Sequence, residues 1–165
     1  MYTLRPVEID FIATAPLRLV FATTLSASPN EVFDALAFDP EGMPGWCPAV
    51  SRAQYVEPGP FVVGSHRRLR LVGGVRFHET VLAADSPSRF AYRIDQTTAP
   101  GLSAMAEDWS IRGADEGTRV VWTVAVDARL PMRLGLKAMR PVVAVGAKRA
   151  LAGLDRQLAG FRRGL

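Results

Sequence analysis

Residues 50–128 are divided by glycine- and proline-containing turns into short segments in which apolar and polar residues alternate. The turns lie at 57–60, 72–75, 85–88, 100–101 and 113–117. The segments between them predict strands near 49–57, 64–72, 75–84, 89–97, 103–112 and 118–129. A β-branched run at 17–25 predicts one more strand. Because successive hairpins connect neighbouring strands, the pattern predicts one antiparallel meander of six or seven strands.

Two further segments have helical signals. Ser28, Pro29 and Glu31 form a capping-box sequence, which predicts a helix start, and a loop rich in proline and glycine follows at 39–48. From Met132 to about Arg162 the apolar residues recur with helical spacing, which predicts a terminal helix about 46 Å long. Its apolar stripe comprises Met132, Leu136, Met139, Val143, Ala147, Ala150, Leu154 and Phe161. Pro141 lies inside that helix, so we expect a kink or a break there.

Length and composition limit the organisation and the chemistry. The 165 residues, 48% of them hydrophobic, predict a single ligand-binding domain over 17–165 preceded by an N-terminal extension, 1–16, that the pattern does not place. One cysteine and two histidines exclude an internal disulfide, a Cys/His zinc finger and a three-histidine metal site. These counts do not exclude a carboxylate-rich metal site. We predict no metal and no cofactor.

The sequence also bears on localisation. No apolar stretch approaches the ~20 residues of a membrane span, and the N-terminal residues lack the basic start and uninterrupted apolar core of a signal peptide. The expected localisation is cytoplasmic.

The order of strand, capped helix, helical loop, strand meander and long terminal helix resembles the SRPBCC or START-like superfamily. That superfamily includes lipid-transfer domains, birch-pollen-allergen-like proteins and bacterial polyketide cyclases/dehydrases. The resemblance rests on the stretches ASPNEVFDAL at 27–36, EDWSI at 107–111 and GTRVVWTV at 117–124. It implies the α+β helix-grip fold, in which a curved antiparallel sheet grips a long C-terminal helix around a hydrophobic cavity.

The resemblance also implies which side chains line that cavity. On the sheet and its loop the candidates are Trp46, Phe77, Glu79, Tyr92, Met105, Glu107, Trp109 and Trp122. On the helix they are Leu136, Met139 and Val143. Aromatic and methionine side chains suit an adaptable apolar pocket, but the same residues would also fill a solid core.

Glu107 is the most specific polar candidate. Pairing across the turn at 113–117 places it on the apolar face beside Met105 and Trp109, where a carboxyl group would have a raised pKa and could act as general acid or base. A register slip that turns Asp108 inward, or a salt bridge to an arginine, would remove that role. Glu79 is also predicted to face inward.

The two histidines and the cysteine are not assigned to the site. His66 and His78 are expected to point outward. Cys47 is expected to be a partly buried thiol without a catalytic role.

The positive charge is concentrated in the terminal helix. Residues 131–165 carry eight basic and one acidic side chain, a net +7, so the other 130 residues sum to −3 within the total of +4. This basic helix could contact an anionic membrane surface, nucleic acid or an acidic partner, or it could simply be a solvated outer face. Specific base recognition is not expected, because no aromatic residues interleave with the arginines.

These observations predict a protein that binds an apolar small molecule, such as a lipid or a polyketide-like compound, between sheet and helix. One alternative is a polyketide cyclase or dehydratase that uses Glu107 as acid or base. A second is an interaction protein that uses the basic helix on a membrane or nucleic acid. The sequence leaves the oligomeric state open.

Overall fold

The computed structural model describes residues 1–163, so Gly164 and Leu165 of the predicted domain lie outside the described residues. The strands are β1 (Tyr2–Thr3), β2 (Leu17–Leu25), β3 (Val50–Tyr55), β4 (His66–Leu71), β5 (Arg76–Asp85), β6 (Arg89–Thr97), β7 (Leu102–Ala114) and β8 (Gly117–Ala128). The helices are α1 (Phe11–Thr14), α2 (Pro29–Ala37), α3 (Met43–Trp46), α4 (Leu130–Ala138) and α5 (Arg140–Arg163), with a 3-10 turn at Pro40–Gly42.

The strands form one curved antiparallel sheet in the order β2-β8-β7-β6-β5-β4-β3, and β1 pairs with β6 outside that path. Neighbouring strands from β3 to β8 are consecutive in the chain, which confirms the predicted meander. Paired glycines turn the β4–β5 hairpin, where Gly73 and Gly74 have φ of 90° and 93°. The concave face holds the main hydrophobic core, so the predicted helix-grip architecture is confirmed.

The predicted capping box starts α2. The Ser28 side chain accepts a hydrogen bond from the Glu31 backbone N–H, and the Glu31 carboxylate accepts one from the Ser28 backbone N–H at 2.8 Å. Pro29 occupies the first turn, where a missing N–H has no cost. Val32 and Phe33 at the start of this helix are fully buried, so the cap fixes where the helix meets the sheet.

The terminal helix is broken into two. α4 ends at Ala138 and α5 begins at Arg140, with Pro141 in the first turn of α5. Because proline has no N–H to donate, a helix boundary just before it satisfies the backbone better than a continuous helix would. α4 contains no buried residue, whereas Ala147, Leu151 and Leu154 of α5 are buried.

Residues 1–16, which the sequence pattern does not place, begin in the sheet, where β1 pairs with β6, and continue onto the convex face. The backbone N–H groups of Leu4 and Arg5 donate to Asp95 and Ser103, so the segment enters between β6 and β7. Phe11 and Ile12 then pack on small residues that point outward from the sheet, Ala104, Ala106 and Ala125. The N-terminal segment therefore covers the β6–β8 half of the convex face.

Candidate functional site

Glu107 is held on the concave face by two donors. The Tyr92 hydroxyl donates to its Oε2 at 2.7 Å, and the Trp122 indole Nε1–H donates to the same oxygen at 2.8 Å. Among the side chains of residues 1–161 and the described backbone, no group donates to Oε1. The carboxyl group is therefore held through one oxygen, while the other accepts no hydrogen bond from the described residues.

The carboxyl group of Glu107 is a weaker acid than an exposed glutamate, and burial is the main cause. It raises the pKa of Glu107 to about 7, while the hydrogen bonds from Tyr92 and Trp122 act in the opposite direction. The side chain still keeps some surface open to solvent. At neutral pH both protonation states are accordingly populated, as acid–base chemistry requires.

Strand register explains why these side chains meet. Glu107 is the cross-strand partner of Tyr92 on one side and of Val124 on the other, and Trp109 is the partner of Trp122. The predicted hairpin register is therefore confirmed, and the slipped alternative is excluded. Asp108 faces the convex side, where Arg89 Nε donates to it at 2.6 Å.

A buried ion pair lies beside this carboxyl group. Arg67 donates to Glu79 Oε2 from Nε at 3.0 Å and from Nη2 at 2.7 Å, and both side chains are at most 4% exposed. The Arg67 guanidinium also lies 4.3 Å from the centroid of the Tyr92 ring. Burial raises the pKa of Glu79, and the charge of Arg67 opposes that rise. Burial likewise raises the pKa of Tyr92, which keeps its hydroxyl a donor to Glu107.

Three tryptophans form a continuous aromatic wall. Trp109 stacks on Trp122 with centroids 4.5 Å apart and packs edge-on against Trp46 at 6.2 Å. α5 can approach Trp46 because residue 153 is glycine: a Cβ there would lie 2.3 Å from the Trp46 carbonyl oxygen. Trp46, Trp109, Tyr92 and Arg67 border a residual cavity of about 10 Å³, enough for about one water molecule.

A much larger cleft lies between the edge strand β2 and helix α5. Its volume is about 550 Å³, within the range of ligand sites. Its lining comprises residues 19–25 of β2 and Arg140, Ala144, Lys148, Leu151, Ala152 and Asp155 of α5. None of the side chains predicted to line a cavity borders this cleft directly. The nearest link is Phe21, whose ring centroid lies 5.5 Å from that of Trp122.

The predicted lining residues are divided among buried, partly buried and exposed positions. Trp46, Glu79, Tyr92 and Trp109 are buried. Phe77, Met105, Glu107, Trp122, Leu136 and Val143 are partly buried. Met105, Trp122, Leu136 and Val143 pack in one cluster with residues of β2 and β8. Met139 is separated from them: it lies at the α4–α5 junction and is 50% exposed.

Arg67 is a site residue that the sequence reading missed. It precedes Leu69 by two positions, so strand alternation places both on the concave face, and it is the cross-strand partner of Glu79. An inward arginine opposite an inward glutamate is the signal that could have found the ion pair. The β2–α5 cleft has no such signal, because it depends on how the helix crosses the edge strand.

Of the remaining reactive side chains, His66 lies away from this site, whereas Cys47 is buried next to Trp46 and interacts electrostatically with Glu107. His66 binds Glu57 at the surface at 2.8 Å, and burial raises the pKa of the Cys47 thiol. Among residues 1–163, no group of three or more His, Cys, Asp or Glu side chains could hold a metal ion. In the same part of the chain, no helix is long and apolar enough to cross a membrane.

The fold is shared with solved structures of low sequence identity. A START superfamily protein from Mycobacterium smegmatis aligns with a TM-score of 0.69 and 16% identity over 86% of this chain and 98% of that one. The di-domain ARO/CYC StfQ from the steffimycin biosynthetic pathway aligns with a TM-score of 0.70 and 16% identity, over 90% of this chain and 53% of that one.

Sequence comparison identifies both a related protein and the family of this chain. An uncharacterized protein of Mycobacterium tuberculosis is 29% identical over 156 residues, which are 94% of this chain and 93% of that protein. The family model described as polyketide cyclase / dehydrase and lipid transport matches residues 17–159, from β2 almost to the end of α5. The chain belongs to this polyketide cyclase / dehydrase and lipid transport family.

Proposed function

We propose that the protein binds an apolar small molecule in the β2–α5 cleft, with a polar group of that molecule directed toward Glu107. Family and fold already indicate a protein that binds a hydrophobic ligand. The observation that carries the proposal is the cleft of about 550 Å³ whose wall includes Leu19, Phe21 and Leu151. Apolar burial would supply most of the binding free energy, and Arg140 and Lys148 at the cleft suit a ligand with an anionic end.

The register supports a route from the cleft to the carboxyl group. Leu19 pairs with Val124, and Val124 pairs with Glu107. Since neighbouring strands are about 4.8 Å apart, Glu107 lies about 10 Å from the cleft wall along the concave face. An elongated ligand that enters between β2 and α5 can span that distance, with Trp122 beneath it.

Filling the cleft tests this proposal. Ala144 lines the cleft on the α5 side, so Ala144→Trp should occupy ligand space and weaken binding of cis-parinaric acid by about tenfold or more. Fluorescence of the bound fatty acid reports the affinity. Ala13→Trp is the matched control, because Ala13 is exposed in α1 on the opposite face of the sheet. Equal affinity of the two variants would place the ligand elsewhere.

A second candidate function is proton transfer by Glu107 on a carbonyl-containing ligand. Its pKa of about 7 and its Oε1, which accepts no hydrogen bond from the part of the chain that the structure describes, favour this chemistry. StfQ, whose fold this chain shares, is described as an ARO/CYC protein, and the transfer of an enzymatic role from it to this chain is part of the proposal.

Deuterium exchange beside the carbonyl of 2-tetralone, a bicyclic apolar ketone, tests this function. NMR should show exchange accelerated by the wild type, and Glu107→Gln should reduce the acceleration by about 10² or more. Retained cis-parinaric acid binding by the variant would separate lost chemistry from lost binding. Exchange in the presence of the wild type at the rate of buffer alone would argue for binding without proton transfer.

A third candidate role is contact with an anionic membrane through α4 and the start of α5. Leu130, Leu134 and Val142 are each more than half exposed, at 58%, 56% and 60%. Basic residues are interspersed along the same stretch, and no acidic residue occurs between Asp127 and Asp155. Aliphatic side chains among basic ones suit a lipid surface better than nucleic acid, which is stabilised by aromatic stacking. Because Arg140 and Lys148 also line the cleft, a docked protein could exchange an apolar ligand with the bilayer.

A further inference from the structure

Strands β3, β4 and β5 present a compact group of positive charges on the convex face, away from the cleft. Arg52, Arg70 and Arg76 form one row, because Arg70 pairs with Arg52 on β3 and with Arg76 on β5. Arg68 pairs with His78 in the next row. We call these four arginines and His78 the convex basic patch.

The arginines of the patch are not neutralised within the protein. With the side chains of residues 1–161, none of the four forms an ion pair, and all four are exposed. The neighbouring acids are engaged elsewhere, since Glu57 binds His66 and Asp95 binds Arg93.

This arrangement has an energetic cost. Like charges directly opposite each other on adjacent strands destabilise a sheet. The body of the chain outside the terminal helix is acidic overall, with a net charge of −3 for residues 1–130. General basicity of the body therefore does not account for the patch, and a bound anion would remove the repulsion.

The patch lies on the half of the convex face that the N-terminal segment leaves uncovered. Residues of that segment pack on the small side chains of β7 and β8, whereas the arginine side chains of β3–β5 enclose an open recess of about 230 Å³. Gln54 contributes a neutral polar side chain to the same recess. The recess offers hydrogen-bond donors and an opening to solvent together.

We propose that the convex basic patch binds an anion that carries two or three linked phosphate groups. Guanidinium groups match phosphate oxygens in a bidentate geometry, and arginine rather than lysine supplies every strand cation here. Three strands about 4.8 Å apart spread the row of arginines over about 10 Å. That width exceeds a single phosphate and suits a chain of them, whether the phosphates belong to a soluble molecule or to a lipid headgroup.

Tripolyphosphate is the probe for this site, and calorimetric titration measures its affinity. Arg70→Gln/Arg76→Gln should weaken binding by about tenfold or more, since each loses charge-assisted hydrogen bonds. The matched control is Arg112→Gln/Arg119→Gln, another pair of exposed cross-strand arginines, on β7 and β8. The control should change the affinity less than about twofold, although it removes the same total charge. Because glutamine keeps two of the three methylene groups of arginine and relieves repulsion, the patch variant should unfold without probe at a Tm no lower than that of the wild type.

The outcomes separate the proposal from its rivals. Weaker tripolyphosphate binding by the patch variant but not by the control variant supports the site. If the wild type also binds phosphatidylinositol-phosphate vesicles more tightly than tripolyphosphate, and the patch variant loses that binding, a lipid headgroup is the source of the phosphates. Equal loss in both variants, or no binding of tripolyphosphate, would overturn the proposal. Tighter patch-dependent binding of a single-stranded oligonucleotide than of tripolyphosphate would also overturn it in favour of a nucleic-acid surface. Because the patch and the cleft lie on opposite faces, failure here leaves the cleft proposal standing.

Discussion

Tyr92 and Glu107 are cross-strand partners on β6 and β7, and the Tyr92 hydroxyl donates to Glu107 Oε2 at 2.7 Å. The pairing fixes a titratable group on the concave face, and its second oxygen accepts no hydrogen bond from the described residues. Burial of the pair, rather than a nearby charge, is the main cause of the raised pKa of Glu107. The consequences of that acidity can be measured without knowing the ligand.

The stability of the protein should depend on pH through Glu107. Its pKa of about 7 lies above the ordinary 4.5, so the folded state holds the proton more tightly than the unfolded state. The free energy of unfolding should therefore fall as pH rises from about 4.5 to about 7, by up to about 3 kcal/mol, and level off above. Glu107→Gln should lack this fall, so its stability relative to the wild type improves with pH.

Urea denaturation between pH 4 and 8 measures this dependence. Glu116→Gln, in the exposed β7–β8 turn, is the control and should follow the wild-type profile. A constant difference between Glu107→Gln and the wild type across this range would contradict a raised pKa.

The hydroxyl of Tyr92 should set where Glu107 titrates. Its hydrogen bond favours the carboxylate and lowers the pKa of Glu107, so Tyr92→Phe should move the midpoint of the stability profile to higher pH. The same titration read by carboxyl NMR would locate the effect at Glu107 itself. An unchanged or lower midpoint would mean that the hydroxyl does not stabilise the charged form.

The buried pair of Arg67 and Glu79 should respond asymmetrically to mutation. Arg67→Met leaves a carboxylate that is 3% exposed without its partner, and we expect a loss of about 3–5 kcal/mol in the free energy of unfolding. The double variant Arg67→Met/Glu79→Leu should recover most of that loss, because both charges are then gone.

Chemical denaturation of four proteins tests this asymmetry: the wild type, the two variants and Arg68→Gln. Arg68 is the exposed neighbour on the same strand, and its substitution should change stability by less than about 0.5 kcal/mol. A double variant as unstable as Arg67→Met would show that the pair stabilises the fold beyond mutual neutralisation.

The alternation of apolar and polar residues along the chain predicted the sheet, but it could not predict the cleft. Strand alternation and turn positions predicted which face Met105, Glu107 and Trp109 share, because side chains in a strand alternate strictly. The ion pair of Arg67 could have been read from the same alternation. The β2–α5 cleft could not, since its walls are far apart in sequence and its shape is set by how α5 crosses an edge strand.

In the terminal helix, too, the spacing of apolar residues predicted only part of the structure. Helical spacing predicted that Ala147, Ala150 and Leu154 face the core, and they are buried. Spacing also placed Met139 in that stripe, but it is half exposed because the helix breaks immediately before Pro141. The proline predicted a kink or break, and only the three-dimensional packing decides that α4 stays on the surface.

The exposed residues of α4 and the start of α5 should govern binding to anionic vesicles. Leu134→Ser/Val142→Ser removes two aliphatic side chains that are 56% and 60% exposed, so folding should be little affected. Sedimentation with phosphatidylglycerol vesicles should show partitioning reduced by about tenfold or more, because each side chain would bury apolar area in the interface. Val62→Ser/Val63→Ser is the matched control, since these valines are 53% and 60% exposed on the loop before β4. Raising the salt concentration should weaken wild-type binding, because Arg133, Lys137 and Arg140 act through screened charge. Equal partitioning of the two serine variants would contradict docking through α4. Its basic residues would then only form a solvated outer face.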